Sequence, residues 1–427
     1  MNNMKRKRFI QQVATITSGA LLAPHILLAT RKKNPLILVV SGWQDVNIGD
    51  IAHTPGFLNI LQTFIPQATI ILWKRSKGQE VEQMLEKDFP KVKIIYGNVT
   101  DDKEVDNDEL SRIFKKADIM IHGSGPGVVG KDNLEAWIKY SNKPFGIFGT
   151  TIQSVNEELK AVLDKASFIY TRETASLEVL KAKGLSGKHI SFAPDATFFM
   201  NMHNEAKASK FLAENNLEPG KFICAIPRLR VTPYYQFSPN NAGWTDEKIK
   251  QVNELNEKKK EIDHAKLREA MIAWIRETRN KVLVCPEMTY QVGIMDELLI
   301  NPLPKDVKSY VVKRGYWLPD EAASVYTKAH TVLSFECHSP IIAAANGTPF
   351  FYLWQPEDTI KGQMYYDLGF SDWVFEIEQT EGRQITNRLR EVWQNYSQAK
   401  NKLALVIKHI DNIYDKRTES IKKFSIS

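Results

Sequence analysis

The sequence predicts an α/β protein built from two Rossmann-like, doubly wound lobes that face a cleft. Three observations predict it. Short apolar runs alternate with helical patterns from residue 35 onward, the alternation restarts near residue 222, and glycine or polar residues gather where the strands end. Strand, helix, strand at this spacing gives a parallel sheet with helices on both faces. Ligands in such sheets bind outside the carboxyl ends of the strands, where the loops collect. The chain past Lys33 is longer than one core usually supports. The lobes are therefore expected at 34–200 and 201–380, with a final helix in 385–427 that crosses back onto the first lobe.

The first lobe's strands are read at Pro35–Val40, Ala68–Trp73, Val92–Tyr96, Asp118–Ile121, Pro144–Phe148 and Ser167–Tyr170. Between them lie helical patterns at Pro55–Ile65, Glu80–Asp88, Glu109–Lys116 and Thr174–Lys183. The second lobe reads Phe222–Ile226, Val282–Cys285, Ser309–Val312, Thr331–Glu336 and Phe350–Leu353 as strands. One long charged helix is expected between Asp246 and Arg279. Its apolar residues are sparse in the first half and frequent in the second (Leu267, Met271, Ile272, Trp274, Ile275), so most of it is a solvated face. Ile385 to about Lys416 reads as one amphipathic helix.

Charge separates the N-terminus from the rest. The chain has 57 Lys+Arg against 50 Asp+Glu, and Lys5, Arg6, Lys7, Arg8, Arg31, Lys32 and Lys33 supply the excess before any acid appears. The remainder is balanced, so the basic pI makes no case for nucleic-acid binding. Lys5–Arg8 precede an apolar stretch reaching about Ala29, the pattern of an export signal for residues 1–29, loosely of twin-arginine type. Gln, Thr and Pro24 interrupt it too often for a transmembrane helix. The expected location is therefore periplasmic or cell envelope, with membrane contact only through this signal, or cytoplasmic if the segment is not a signal. Cys224, Cys285 and Cys337 each lie in an apolar run and are expected as buried thiols. No zinc spacing exists, so neither a metal nor a cofactor is expected.

The candidate chemistry sits at strand ends. His338 follows the strand Thr331–Glu336, and Ser339-Pro340 then open the run IIAAANGTP. Ser before Pro is a helix start, because serine caps free amides and proline lacks the N–H that would be unpaired there. His338 is thus expected beside a helix N-terminus, which attracts anions and favours a neutral imidazole. Glu336 lies two residues earlier and is expected to share a face with His338 and orient it. In the loop after the first strand, Asn47, Gly49 and Asp50 permit a tight turn that offers amides to an anion, with Thr54-Pro55 starting the helix. His122-Gly123-Ser124-Gly125-Pro126-Gly127 lets a ligand or another backbone approach closely. Its spacing is not GxGxxG and no acid follows at the dinucleotide distance, which excludes a nicotinamide site. Arg172 either forks onto a phosphate or carboxylate or pairs with Glu173 or another acid, and Asp195 caps or orients the linker. Arg228 and Arg230 end the strand Phe222–Ile226, and aromatics at 234–237 follow them. Aromatics beside arginines suit a sugar face next to an anion.

The order of these motifs resembles the polysaccharide pyruvyl transferase family over roughly residues 36–355. NIGD follows the first strand, the glycine cluster follows ADIMI, and TRETASLEVL precedes Gly184. PDATF and HSPIIAAANGTP complete the order. The resemblance implies a two-lobed fold similar to type B glycosyltransferases, with phosphoenolpyruvate as co-substrate. It also implies transfer of the enolpyruvyl unit to saccharide hydroxyls, giving a pyruvate ketal. His338 then matches the family histidine near phosphoenolpyruvate, and Arg228 is the candidate for gripping the anion. Arg172, Arg230, Asn47, Asp50, Ser339 and the amides of Gly123 and Gly125 complete the expected substrate contacts. The family usually shows Arg-Leu-His where this chain has Glu336-Cys337-His338, exchanging a cation for an anion. Phosphoenolpyruvate is also cytosolic, whereas the N-terminus reads as an export signal. The alternatives are an exported glycan-binding or differently reactive glycan-processing protein on the same scaffold, or a nucleotide-sugar glycosyltransferase. Against the last stands the lack of a convincing E-x₇-E-type ribose and phosphate pattern in the second lobe. Oligomeric state is not legible.

Overall fold

Apolar runs buried on both faces make the strands, as parallel sheets require. The computed structural model describes residues 34–237 and 242–424, so the expected export signal at 1–29 lies outside the described residues. The first sheet holds β1 (Leu36–Ser41), β2 (Thr69–Lys74), β3 (Lys93–Ile95), β4 (Ile119–His122), β5 (Phe145–Thr150), β6 (Phe168–Thr171) and β7 (Ile190–Phe192). The second holds β8 (Phe222–Ile226), β9 (Lys281–Val284), β10 (Val311–Lys313), β11 (Thr331–Ser334), β12 (Phe350–Trp354) and β13 (Val374–Glu376). Their orders are β3-β2-β1-β4-β5-β6-β7 and β10-β9-β8-β11-β12-β13. Every pairing is parallel, for instance Val39 with Leu72 and Ile121, and Leu333 with Ala225 and Phe351. The expected strands recur with small shifts at their ends. β7 and β13 have no counterpart among the expected strands, because three residues carry little periodicity.

The first helix differs from expectation. It spans Ile48–Phe64 rather than starting at Pro55, and Asn47 caps it, its side chain accepting from the Gly49 amide at 2.7 Å. Pro55 lies inside, where its missing N–H leaves the Ile51 carbonyl without its usual helical donor. Thr54 does not cap; its hydroxyl meets that of Ser41 at 2.9 Å. Gly49 and Gly56 stand two turns apart on one stripe, and a Cβ at either would collide, with the His338 ring at 2.3 Å and the Ala196 carbonyl at 2.1 Å. The two glycines therefore let this helix lie directly on the residues that form the site.

The helix Asp246–Thr278 buries Leu267, Met271, Trp274 and Ile275 in its second half and leaves most of its first half in solvent. The expected single helix from Ile385 is two, Gly382–Gln394 and Tyr396–Phe424, separated at Asn395. The second contacts the first lobe: Tyr414 donates to the Asp195 carbonyl at 2.6 Å and Arg417 to that of Phe192 at 2.8 Å. All three cysteines are buried and free. No described helix is long and apolar enough to cross a membrane.

Candidate active site in the cleft

The loop after β1 and the loop after β9 close against each other. Asn47 forms an antiparallel bridge with Met288, the Ile48 amide donates to the Glu287 carbonyl at 2.9 Å, and the Thr289 amide donates to that of Val46 at 3.0 Å. This seam ties the two lobes together beside His338.

His338 opens the helix His338–Ala345. The anion at that helix N-terminus is internal. Glu287 Oε2 accepts from the Ser339 amide at 2.6 Å and from the Ser339 hydroxyl at 2.8 Å. Ser339 is thus fully buried and spent on Glu287; it neither caps the helix nor reaches the cleft. Glu287 Oε1 lies 3.3 Å from His338 Nδ1, and Asp195 Oδ2 lies 3.7 Å from Nε2. Burial disfavours the imidazolium, but Asp195 and Glu287 outweigh it and raise the His338 pKa well above its ordinary value. The neutral imidazole expected from the helix dipole alone is therefore corrected: two carboxylates invert the sign. Glu336 does not orient the ring. Its Oε1 accepts from Gln291 at 2.6 Å and lies 3.3 Å from Arg228 Nε. Burial, opposed by Arg228 and reinforced by Glu287, pushes Glu336 up to about 8.

Asp195 is the hub beneath His338. It caps the short turn that follows, accepting from the Thr197 amide at 2.9 Å. The same Oδ1 lies 3.0 Å from His53 Nδ1, and Oδ2 accepts from Arg172 at 2.6 Å. Burial raises a carboxyl pKa, yet His53, His338 and Arg172 together hold Asp195 well below the usual range. Arg172 is fully buried, donates to Thr151 at 2.6 Å and approaches Glu173 at 3.6 Å, so its fork serves the protein's own acids. Among the described residues His53, Asp195 and His338 offer ligand atoms within 4.8 Å of one another. Arg172 Nη1 already lies 3.4 Å from His338 Nε2 and 2.6 Å from Asp195 Oδ2, so a cation of the protein itself reaches two of the three.

The glycine loop after β4 is filled from within. The Gly123 amide donates to Val40 at 2.9 Å and that of Gly125 to Gly149 at 3.4 Å, while a Cβ on Gly125 would meet Trp43 at 2.6 Å. The close approach expected there is made by Trp43, and these amides are not free for an anion. Arg230 is likewise absorbed, by Asp263, Glu357 and Glu378. Asn47 is spent on its cap.

Four expected residues, Asp50, Arg228, Glu336 and His338, are each 4–7% exposed; Arg228 and Glu336 pair directly, and Asp50 and His338 both adjoin His53. Arg228 Nη1 binds Gln355 at 2.8 Å and Asp358 at 2.9 Å, while its Nε has no hydrogen-bond partner. Tyr234 stands over this group, in the field of Asp50, Glu336 and Arg228, with its hydroxyl bonded to Gln44 and pushed up to about 12 chiefly by burial. The sequence reading did not find His53 or Glu287. The signal for His53 was the Gly49–His53–Gly56 stripe; the signal for Glu287 was an acid following Pro286 at the end of β9.

Solved structures show the class. UDP-GlcNAc 2-epimerase from Neisseria meningitidis aligns over 91% of this chain and 100% of its own, with TM-score 0.56 and 11% identity. Anabaena Alr3699/HepE in complex with UDP-glucose aligns over 91% and 99%, at 0.57 and 10%. A glycosyltransferase from Rickettsia africae gives 92% and 99%, at 0.58 and 12%. The fold is that of type B glycosyltransferases and related epimerases. No curated protein matches the sequence. The chain belongs to the polysaccharide pyruvyl transferase family, whose model matches residues 47–355.

Proposed function

We propose that this chain transfers the enolpyruvyl unit of phosphoenolpyruvate to hydroxyls of a saccharide, forming a pyruvate ketal. The observation that carries the reading is His338: an imidazole held between Glu287 and Asp195, two residues past Glu336, which pairs with Arg228, within the family-matched segment. A sugar hydroxyl adds to the central carbon of the donor, losing its proton, while the methylene carbon takes one. A second hydroxyl then displaces phosphate, which leaves with that hydroxyl's proton. Each stage needs one group that gives a proton and one that takes it. His338, kept protonated at rest, begins as the acid. Arg228 is the cation for the donor's carboxylate or phosphate, its Nε lying 3.3 Å from Glu336 without a formed hydrogen bond. Glu336, held largely neutral near pH 7, does not cancel that charge, so its replacement of the family arginine remains compatible with an anionic donor.

A second reading, glycan binding or processing without phosphoenolpyruvate, draws on Asp358, which already neutralises Arg228. Phosphate release from phosphoenolpyruvate in the presence of candidate saccharides separates the two. Release that depends on His338 supports pyruvyl transfer; none across a panel of acceptors favours the second reading. The export reading of residues 1–29 bears on the same choice. A mature N-terminus near residue 30 in an envelope fraction would separate the enzyme from its cytosolic donor.

A further inference from the structure

We infer that His53 is a second proton-handling group of this site, relaying protons between the cleft-facing carboxylate of Asp50 and the Asp195 carboxylate on which His338 also leans. The inference deepens the pyruvyl transfer reading and rests on it for the reaction served, but its geometry stands separately. His53 sits at the middle of the Gly49–His53–Gly56 stripe and is fully buried. Its Nδ1 lies 3.0 Å from Asp195 Oδ1 and 3.3 Å from Thr197 Oγ1. Asp195 is held ionised, so Nδ1 carries the hydrogen and Nε2 is left as the basic nitrogen. That Nε2 is buried and has no hydrogen-bond partner. The nearest acid is Asp50, with Oδ1 at 3.8 Å, and the ring stands edge-on to His338 with centroids 4.7 Å apart.

Other buried histidines show what a structural imidazole does here. His122 uses both nitrogens, on the Gly123 carbonyl at 2.8 Å and the Gly130 amide at 3.0 Å. His264 does the same with the Lys260 carbonyl at 2.5 Å and the Arg228 amide at 3.2 Å. Leaving Nε2 of His53 unpaired forfeits the hydration of a buried polar atom, which a purely structural residue has no reason to bear. A nitrogen that accepts a proton during turnover does.

The balance is simple. A proton reaching Asp50 from the cleft moves to His53 Nε2; the O–H bond breaks and an N–H bond forms. The resulting imidazolium lies between the Asp50 and Asp195 carboxylates and releases its Nδ1 hydrogen to Asp195 Oδ1, breaking that N–H bond and forming an O–H bond, which replaces the proton His338 has given up; the reverse steps reset the ring. No other reactant is consumed. His338 and Asp50 thereby become two cleft-facing ends of one buried chain, as a reaction that gives and takes protons at different atoms requires. The charged and titratable groups facing His53 are Asp50 from its own helix, Asp195 from the segment after β7, His338 from the second lobe and His122 from β4, with Arg172 acting through Asp195.

Two measurements on the full chain test this. The first needs no substrate: ¹⁵N-histidine NMR from pH 5 to 9 on wild type, His338→Gln and Asp50→Asn. The relay predicts that His53 rests as the Nδ1–H tautomer and that both substitutions move its titration. A His53 signal unmoved by either substitution overturns the inference. The second is turnover. His53→Asn should lower the phosphate-release rate about 10- to 100-fold and remove one limb of its pH profile, with calorimetric binding of phosphoenolpyruvate unchanged. Asp50→Asn should reproduce the lost limb if His53→Asn folds poorly. An unchanged profile, with the rate falling only as the folded fraction falls, would assign His53 a structural role. Coupled titrations without phosphate release from wild type would sink the pyruvyl transfer reading and leave the relay standing.

Discussion

Two central strands of this molecule, β4 in the first lobe and β11 in the second, each carry a buried histidine at or just past their carboxyl end, and the two imidazoles have opposite chemistry. His122 ends β4, stacks on Trp43 at 4.5 Å and satisfies both nitrogens with backbone groups. Burial, only partly offset by the Gly123 carbonyl, pushes it down to about 3. His338 follows β11, is equally enclosed, and is raised well above its ordinary value because Asp195 and Glu287 flank it. Depth does not decide the charge of a buried imidazole; the carboxylates within reach do. The first lobe spends its strand-end loop on packing, and the second spends its loop on a protonated group at the cleft.

The comparison is broken most directly by removing the second histidine. His338→Ala should lower turnover about 10²–10⁴-fold in a phosphate-release assay, with the far-ultraviolet dichroism of the fold unchanged. An effect below tenfold would mean His338 is no more catalytic than His122.

A subtler perturbation moves the ring without deleting it. A Cβ at residue 49 would fall 2.3 Å from His338 Nδ1, whereas one at Gly127 would meet nothing within 4 Å. Gly49→Ala should therefore cost on the order of 10²-fold in turnover by displacing the imidazole about 1 Å, while Gly127→Ala leaves the rate unaltered. Equal effects at the two glycines would remove the argument from close approach.

Arg228→Lys sharpens what the second lobe adds beside the histidine. Lysine keeps the charge but loses the planar fork. Donor binding should weaken about tenfold in calorimetry, with a smaller change in the maximal rate.

The smallest effect concerns stability. The folded-state pKa of His122 is pushed to about 3 and that of His264 to about 4, both below the ordinary value of 6.5. Between folded and unfolded values the unfolded chain binds more protons, so this stability is complete above about pH 6.5 and is lost as pH falls. Each group should cost about 1 kcal/mol by pH 5.5, one unit below the unfolded value. His338 acts with the opposite sign, because its raised pKa adds stability that is fully present in acid and lost as pH rises through the folded value. Urea unfolding at pH 5.5 and 7.5 on wild type and His338→Gln reads both. The variant should lose more stability in acid than wild type does; an equal loss would contradict the assigned directions.

How much of this was legible in the sequence follows from range. Strands declared themselves because buried parallel strands are continuous apolar runs, and His338 and Arg228 were visible because each follows one. The capping role read for Asp195 is there, since Thr197 bonds to it. Its role as the hub was not, because His53 lies 142 residues away along the chain and the pairing arises only when the helix Ile48–Phe64 seats on the segment after β7. Glu287 was missed for the same reason. A local reading of Ser339-Pro340 supplies a cap and a dipole, whereas the structure brings a carboxylate from the loop after β9 to that helix end. The glycines of 123–127 were read as room for a ligand, and Trp43 from the neighbouring loop fills it. Local rules place elements and their ends; which acid meets which base is a tertiary fact.

The central claim is that the cleft beside His338 accepts phosphoenolpyruvate despite Glu336. Calorimetric titration of phosphoenolpyruvate into the full chain, into Arg228→Ala and into Glu336→Arg tests it most directly. The account predicts millimolar or tighter binding by wild type, loss of binding in Arg228→Ala, and equal or tighter binding in Glu336→Arg. A folded wild type and a folded Glu336→Arg variant that both give no heat at millimolar donor would contradict it, leaving a glycan-binding protein on the pyruvyl transferase scaffold.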